Sequence, residues 1–193
     1  MTYDTEAGLH LPAPDRELAH REARLRELGL GDMPDAEFDA FATQLAQAAG
    51  APYAMVNFIT GHQFFAGLHT PSAAQSGPGG PEAGGNPEVS RIMSRDHGYC
   101  PDVLNRRKAL VLPDVYAYPR FASNEVVDLI GIRTYAGAPL IDERTDTVLG
   151  TVCFVGTDPR GKETGRDTLQ LIKESRDQLM RLIYQRTGGG PRQ

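Results

Sequence analysis

Two hydrophobic periods alternate along this chain. Leu11, Leu18 and Leu25 recur every seven residues, with Leu28 close by, among the charged Glu17, Arg21, Glu22, Arg24 and Arg26. This spacing predicts a helix from Asp15 to Leu28 with a narrow apolar stripe and charge on its other faces. Asp15 suits its N-cap and Gly29 its end. Residues 1–14 read as a loose polar arm. A second helix is expected from Asp35 to Ala49, with Phe38, Phe41, Ala42, Leu45, Ala48 and Ala49 on one face. Asp35 caps it, Gly50 stops it and Pro52 bars its continuation.

The period then changes to two. Tyr53-Ala54-Met55-Val56-Asn57-Phe58-Ile59 is β-branched and aromatic enough to be a strand, and Gln63 to Leu68 is its return across the turn Thr60-Gly61-His62. Residues 70–87 are rich in Gly, Pro, Ser and Ala. Such a stretch buries too little apolar surface to offset its ordering entropy, so it is expected to be a flexible insertion.

Beyond it, Glu88 to Arg95 reads as a short helix, and Tyr99 to Leu104 as a strand end entering a helical turn. Ala109 to Leu112 is a short buried strand, broken by Pro113-Asp114, and Asn124 to Ile130 another short helix. Thr134 to Ile141 and Thr147 to Gly156 are strands joined by a polar turn. A last helix begins near Glu163 and carries Leu169, Ile172, Leu179, Leu182 and Ile183 on one stripe. Helices, a hairpin, a long excursion, a second hairpin and a closing helix indicate an α+β fold with an antiparallel sheet, not alternating βαβ units.

Composition narrows the function classes. The 193 residues carry a net charge of −5, which disfavours a dedicated nucleic-acid binder. No apolar run approaches the ~18–20 residues of a membrane span. The start shows no basic and apolar leader, so a cytoplasmic location is expected. Two cysteines do not make a disulfide scaffold. Arginines outnumber lysines 17 to 3, a codon-level pointer to a GC-rich bacterial genome.

Candidate chemistry is sparse. Cys100 and Cys153 could be a reactive thiol with its partner, or two buried soft residues lining a core or pocket. Cys153 lies mid-strand, and no resolving thiol is expected beside a reactive one, so no catalytic residue is assigned. His97 and Cys100 have ligand spacing, but no second pair completes a zinc site and no metal is expected. A haem needs only one axial histidine and stays open; no cofactor is assigned. Gly156 to Lys162 fits G-x4-G-K between a strand and a helix. Glu163 replaces the magnesium-binding hydroxyl and Pro159 removes a backbone donor, which argues against a phosphate loop. Asp114 reads as a turn or helix cap. Aromatic walls and small residues around Tyr135-Ala136-Gly137-Ala138-Pro139 suggest a semi-polar pocket, with Asn57, Phe65, Tyr99, Cys100, Phe121, Tyr135 and Cys153 as its contacts.

Three segments, in order, resemble the GAF sensor domain: FATQLAQAAGAPYAMVNFITGHQFFAGL, YCPDVLNRRKALVLPDVYAYPRFASN, and IRTYAGAPLID with VLGTVCFVGTDPR. The resemblance spans about residues 36–184. It implies a PAS-related central antiparallel sheet of about six strands, the first and last helices on one face and a small-molecule pocket on the other. Residues 1–34 are then an arm and helix, 35–186 the domain, and 187–193 a disordered tail. One branch of the family, the free methionine-(R)-sulfoxide reductases, is similar in architecture. The cysteine which that branch carries after its aspartate segment is missing from Pro119-Arg120-Phe121-Ala122-Ser123-Asn124. The motifs for covalent tetrapyrrole attachment and for cyclic nucleotides are also missing.

The expectation is therefore a small-molecule-binding sensor acting through dimerisation or a signalling partner protein, with no nucleic acid and no membrane. The alternatives are a thiol-dependent reductase and a ligand-free dimerisation scaffold. The helical stripes predict a homodimer with Leu18, Leu25, Leu28, Leu179 and Leu182 in or beside its seam.

Overall fold

The structure is a computed structural model that describes residues 2–4, 9–11, 15–71, 90–122 and 131–188. The predicted helix over Asn124 to Ile130, nearly all of the predicted insertion and most of the predicted tail lie outside these residues. Thirteen elements follow in order: β1 (Thr2–Asp4), β2 (Leu9–Leu11), α1 (Leu18–Glu27), α2 (Ala36–Ala49), β3 (Tyr53–Ile59), β4 (His62–His69), β5 (Ile92–Ser94), α3 (Cys100–Arg106), β6 (Leu110–Leu112), α4 (Pro119–Ala122), β7 (Thr134–Asp142), β8 (Thr147–Gly156) and α5 (Gly165–Thr187). One-turn 3-10 segments cover Val115–Ala117 and Lys162–Thr164. Among the described residues no helix is long and apolar enough to cross a membrane.

Six strands form one antiparallel sheet in the order β5-β4-β3-β8-β7-β6. Both predicted hairpins are present, as β3–β4 and β7–β8, and β3 pairs with β8 at the centre. Ile92–Ser94 is a strand and not part of a helix: it pairs with His62 to Phe64 and closes the sheet edge. The arm is not structureless, because Thr2–Asp4 and Leu9–Leu11 pair as a two-stranded ladder. Leu11 is therefore in a strand and outside the leucine helix.

Each face of the sheet carries its own core. On one face α2 and α5 pack with Ala54, Val56, Phe58, Ala136, Ala138, Leu149, Val152 and Phe154. Here α2 lies directly on β4: a β-carbon on Gly67 would meet the Phe38 carbonyl oxygen at 2.3 Å. Asp35 caps α2 as expected, accepting the N–H groups of Glu37 and Phe38, and Gly50 ends it at φ +55°. Ala46, not Ala48, joins the buried face. Along α5 the buried stripe is Thr168, Ile172, Ser175, Leu179 and Ile183, with Met180 and Tyr184 beside it; Leu169 is only half-buried.

Leu25 and Leu28 of the predicted dimer seam sit in this same core, 4% and 5% exposed, and Leu179 is fully enclosed. These three are covered by their own chain, so a second copy is not needed to shelter them. Leu18 and Leu182 are half-buried.

Asp15 does not cap α1, which starts three residues later behind Glu17 without a side-chain cap. Instead Asp15 pairs with Arg21 and Arg95. Arg21, placed by the pattern on a charged outer face, is 1% exposed. The β3–β8 ladder ends at Phe58 and Gly150, so Ile59 and Val148 beyond it no longer pair across these two strands. Arg21 fills that gap, donating to the carbonyls of Val148 and Ile59. A buried guanidinium is tolerable only when its donors are met in this way.

Candidate functional site

Among the described residues, the second face of the sheet is covered by short elements. Seven-residue α3, the turn Val115–Ala117 and four-residue α4 lie over Tyr53, Met55, Ile59, Phe65, Tyr135, Val148, Cys153 and Val155. Strand alternation selects this set: Met55 and Asn57 on β3, Gln63 and Phe65 on β4, Tyr135 and Gly137 on β7, Thr151 and Cys153 on β8.

At its centre the two thiols meet. Cys100, first residue of α3, has its Sγ 3.7 Å from Cys153 Sγ, and both residues are buried. This overturns the expectation that no second thiol stands beside a candidate reactive one. The Tyr135 hydroxyl lies 3.6 Å from Cys100 Sγ, and Met55 Sδ is 3.8 Å from Cys153 Sγ. Tyr99 stacks obliquely on Tyr135 at 5.0 Å and edge-on to Phe121 at 5.8 Å, and its hydroxyl donates to the Phe121 carbonyl. Burial pushes the Tyr99 phenol up to about 12.

The thiols are electrostatically unequal. Cys100 is held below the ordinary thiol range chiefly by the hydrogen bond from Cys153. Burial opposes this, while Thr151, Tyr135 and Asn57 also face the sulfur and favour its thiolate. Cys153, as donor to that sulfur and itself buried, is pushed up. Cys100 is thus the thiol of the pair that ionises first.

Beside the thiols lies a buried polar row. The Asn57 amide donates to Gln63 Oε1 at 2.9 Å, and Gln63 Nε2 donates to the carbonyls of Ser94 and His97 at 2.8 and 2.7 Å. Asn57 Oδ1 and Thr151 Oγ1 have no hydrogen-bond partner of normal geometry among the described residues, although both atoms are buried. Asn57 and Thr151 stand opposite each other in the β3–β8 register.

All seven residues predicted to line a pocket therefore fall on one face. Cys100 touches both Tyr135 and Cys153, Tyr99 and Phe121 extend that cluster, Phe65 shares its core, and Asn57 heads the polar row. Gln63 and Thr151 were missed. Their signal was present: each is a polar residue in a buried strand, two positions from a predicted site residue (Phe65 and Cys153). Two surface grooves, one along α5 beside Ile141 and Met180 and one along α1 beside His20 and Asp146, are lined by none of the seven.

Other candidates resolve into structural roles. Asp114 accepts the Tyr116 N–H and pairs with Arg133, a turn cap as read. The Gly156–Lys162 segment leads into the last helix, with Arg160 donating to the Ala49 carbonyl. Among the described residues no group of three or more His, Cys, Asp or Glu is placed to hold a metal ion.

The same architecture recurs in solved structures. The GAF domain of an Acinetobacter phosphoenolpyruvate-protein phosphotransferase is 14% identical, with a TM-score of 0.55 over 89% of this chain and 95% of that one. A far-red cyanobacteriochrome photoreceptor is 13% identical, with a TM-score of 0.57 over 87% and 93%. A type II free methionine-R-sulfoxide reductase from Thermoplasma acidophilum is 8% identical, with a TM-score of 0.55 over 78% and 92%. At these identities the likeness is one of fold. No curated protein matches the sequence. The GAF domain family model matches residues 34–183, which contain both hairpins, the thiol face and nearly all of the last helix, and the chain belongs to the GAF domain family.

Proposed function

We propose that this chain is a regulatory sensor domain that binds a small polar molecule on the α3-covered face and passes the result to a partner protein. One observation carries this reading: two buried polar atoms, Asn57 Oδ1 and Thr151 Oγ1, belong to residues paired across β3 and β8 and have no hydrogen-bond partner of normal geometry among the described residues. A buried polar atom without a hydrogen bond costs ~1–3 kcal/mol, so such a pair suits a ligand that supplies a donor and an acceptor. The cover is the cheaper one to open. α3 has seven residues, whereas α2 and α5 on the opposite face have 14 and 23. The polar row also leads outward. Gln63 holds the turn containing Arg95, Arg95 pairs with Asp15, and Asp15 with Arg21 of α1. The effect of an occupant beside Asn57 reaches α1 by that route.

The test is native mass spectrometry and absorbance of freshly purified protein, followed by thermal shift against a metabolite library. The expected result is a small molecule that raises the Tm of the parent protein and has lost that effect in Thr151→Val. A ligand that stabilises parent and Thr151→Val equally sits elsewhere and contradicts the site. A stable dimer that binds nothing supports a scaffold instead.

A second reading is favoured by the thiol contact. Cys100 and Cys153, 3.7 Å apart, have the spacing that a thiol-dependent reductase needs. Reductant-dependent consumption of free methionine sulfoxide, lost in Cys100→Ser, would establish it.

A further inference from the structure

We propose that Cys100 and Cys153 form a reversible intramolecular disulfide in response to hydroperoxides, making the α3-covered face an oxidant-sensing dithiol site. This goes beyond small-molecule binding and does not depend on it.

The geometry supplies the pair. The two sulfurs lie 3.7 Å apart, and a disulfide needs about 2.05 Å, so they must approach by about 1.7 Å. Cys153 is fixed mid-strand, paired with Met55 on one side and Gly137 on the other. Cys100 is the sulfur that moves, because it opens a seven-residue helix that follows a turn with Gly98 at φ +76°.

The surroundings assign the roles. The Tyr135 hydroxyl and the Cys153 thiol contact the Cys100 sulfur, and with Thr151 and Asn57 nearby they stabilise its thiolate. The Thr151 hydroxyl has no partner of normal geometry among the described residues. A sulfur anion at Cys100 would give that hydroxyl an acceptor. Cys153 contacts Cys100 and the Met55 thioether, and it keeps its proton.

The chemistry balances. The Cys100 thiolate attacks the outer oxygen of a hydroperoxide and breaks the O–O bond. The alkoxide or hydroxide that leaves takes up the proton Cys100 gave off on ionising. Cys100 is now a sulfenic acid, oxidised by two electrons. The Cys153 sulfur then attacks the sulfenic sulfur, and the S–S bond forms as hydroxide departs with the Cys153 proton as water. Two thiols and one hydroperoxide give one disulfide, one alcohol (water when the oxidant is hydrogen peroxide) and one water.

The experiment uses the full chain and hydrogen peroxide at a one- to few-fold molar ratio, quenched, denatured and alkylated with iodoacetamide. The expected intact mass is lower by two hydrogens, with the uptake of two alkyl groups lost, and dithiothreitol restores both. Peptide mapping should find a Cys100–Cys153 link within a monomer. In Cys153→Ala a dione probe should trap a sulfenic acid at Cys100, and Cys100→Ala should leave Cys153 untrapped. Two alkyl groups retained while methionines oxidise would overturn the proposal, as would a disulfide-linked dimer or separate overoxidation of each thiol. The result on the unmutated chain decides the matter even if a variant fails to fold.

Discussion

The hydroxyl of Tyr135 lies 2.2 Å from where a β-carbon on Gly137 would stand, on the same side of β7 and two residues along it. Glycine at 137 is what lets the phenol fold down toward Cys100. Gly137→Ala should therefore push Tyr135 out of place and cost ~1–3 kcal/mol, the range for overpacking a filled core. In a Tyr135→Leu background the ring edge in conflict is gone and the same change should cost much less. Urea unfolding of the four proteins measures this coupling. An equal cost in both backgrounds would mean that the glycine serves something other than the tyrosine.

Asp15 makes stability depend on acid. Burial pushes its carboxyl up, but hydrogen bonds from Arg21, Arg95 and the Glu17 N–H, with the charge of Arg21, outweigh this and bring it to about 2 from 3.8. A carboxyl lowered on folding contributes stability that is complete above its unfolded pKa and lost as pH falls through the folded one. The contribution should be ~2 kcal/mol at neutral pH and fade between about pH 4 and pH 2. Denaturant unfolding at pH 7 and pH 3 should show a smaller drop for Asp15→Asn than for the parent. Parallel profiles would remove Asp15 from the account.

Asp142 is fully buried and accepts from Arg24 at 2.6 Å, Tyr184 at 2.9 Å and Thr145 at 2.7 Å. It ties α1 and α5 to the end of β7. Arg24→Leu leaves a buried carboxylate without its cation and should cost ~3–5 kcal/mol at pH 7. Without the arginine the carboxyl titrates higher, so the gap to the parent protein should narrow by pH 4. Tyr184→Phe removes the bond to the Asp142 carboxylate and the acceptor of the Glu143 N–H, and should cost ~1.5–3 kcal/mol. A pH-independent gap for Arg24→Leu would show that packing, not charge, is lost.

Asp35 joins the two long helices. It caps α2 and accepts from Arg186 of α5, whose guanidinium also lies 4.9 Å from the Phe38 ring centroid. Asp35→Ala should lower stability by ~1–2 kcal/mol, and Asp35→Asn, which keeps the cap, by less. Thermal unfolding of the two variants checks the order; an equal cost in both would assign the effect to the ion pair, which both variants lose.

The parts that were legible in the chain are those with long, clean periods. The β3–β4 and β7–β8 hairpins, α2 and α5 follow from alternation, caps and apolar stripes within one segment. The strand Ile92–Ser94 was not legible. It has three residues, none of them buried, and exists because the β4 edge offers it partners. The burial of Arg21 was hidden for a similar reason, since its acceptors are carbonyls where β3 and β8 part, 38 and 127 positions away. Of the seven candidate site residues, Asn57, Phe65, Tyr135 and Cys153 fall on one face by strand alternation, whereas Tyr99, Cys100 and Phe121 were named by residue type and nearness to turns. The contact between Cys100 and Cys153 was not legible, because 53 positions separate them and only the docking of α3 on the sheet joins them.

If the α3-covered face responds to a ligand or oxidant while the α2–α5 face serves as scaffold, the first must open more cheaply than the second. Native-state hydrogen exchange of the unliganded chain tests it most directly. Amides of residues 100–106 are expected to exchange by local opening, at free energies well below those of 38–49 and 172–184, which should approach the global value. Equal protection of 100–106 and the two long helices would contradict it, because the thiol face would then open only when the whole domain unfolds.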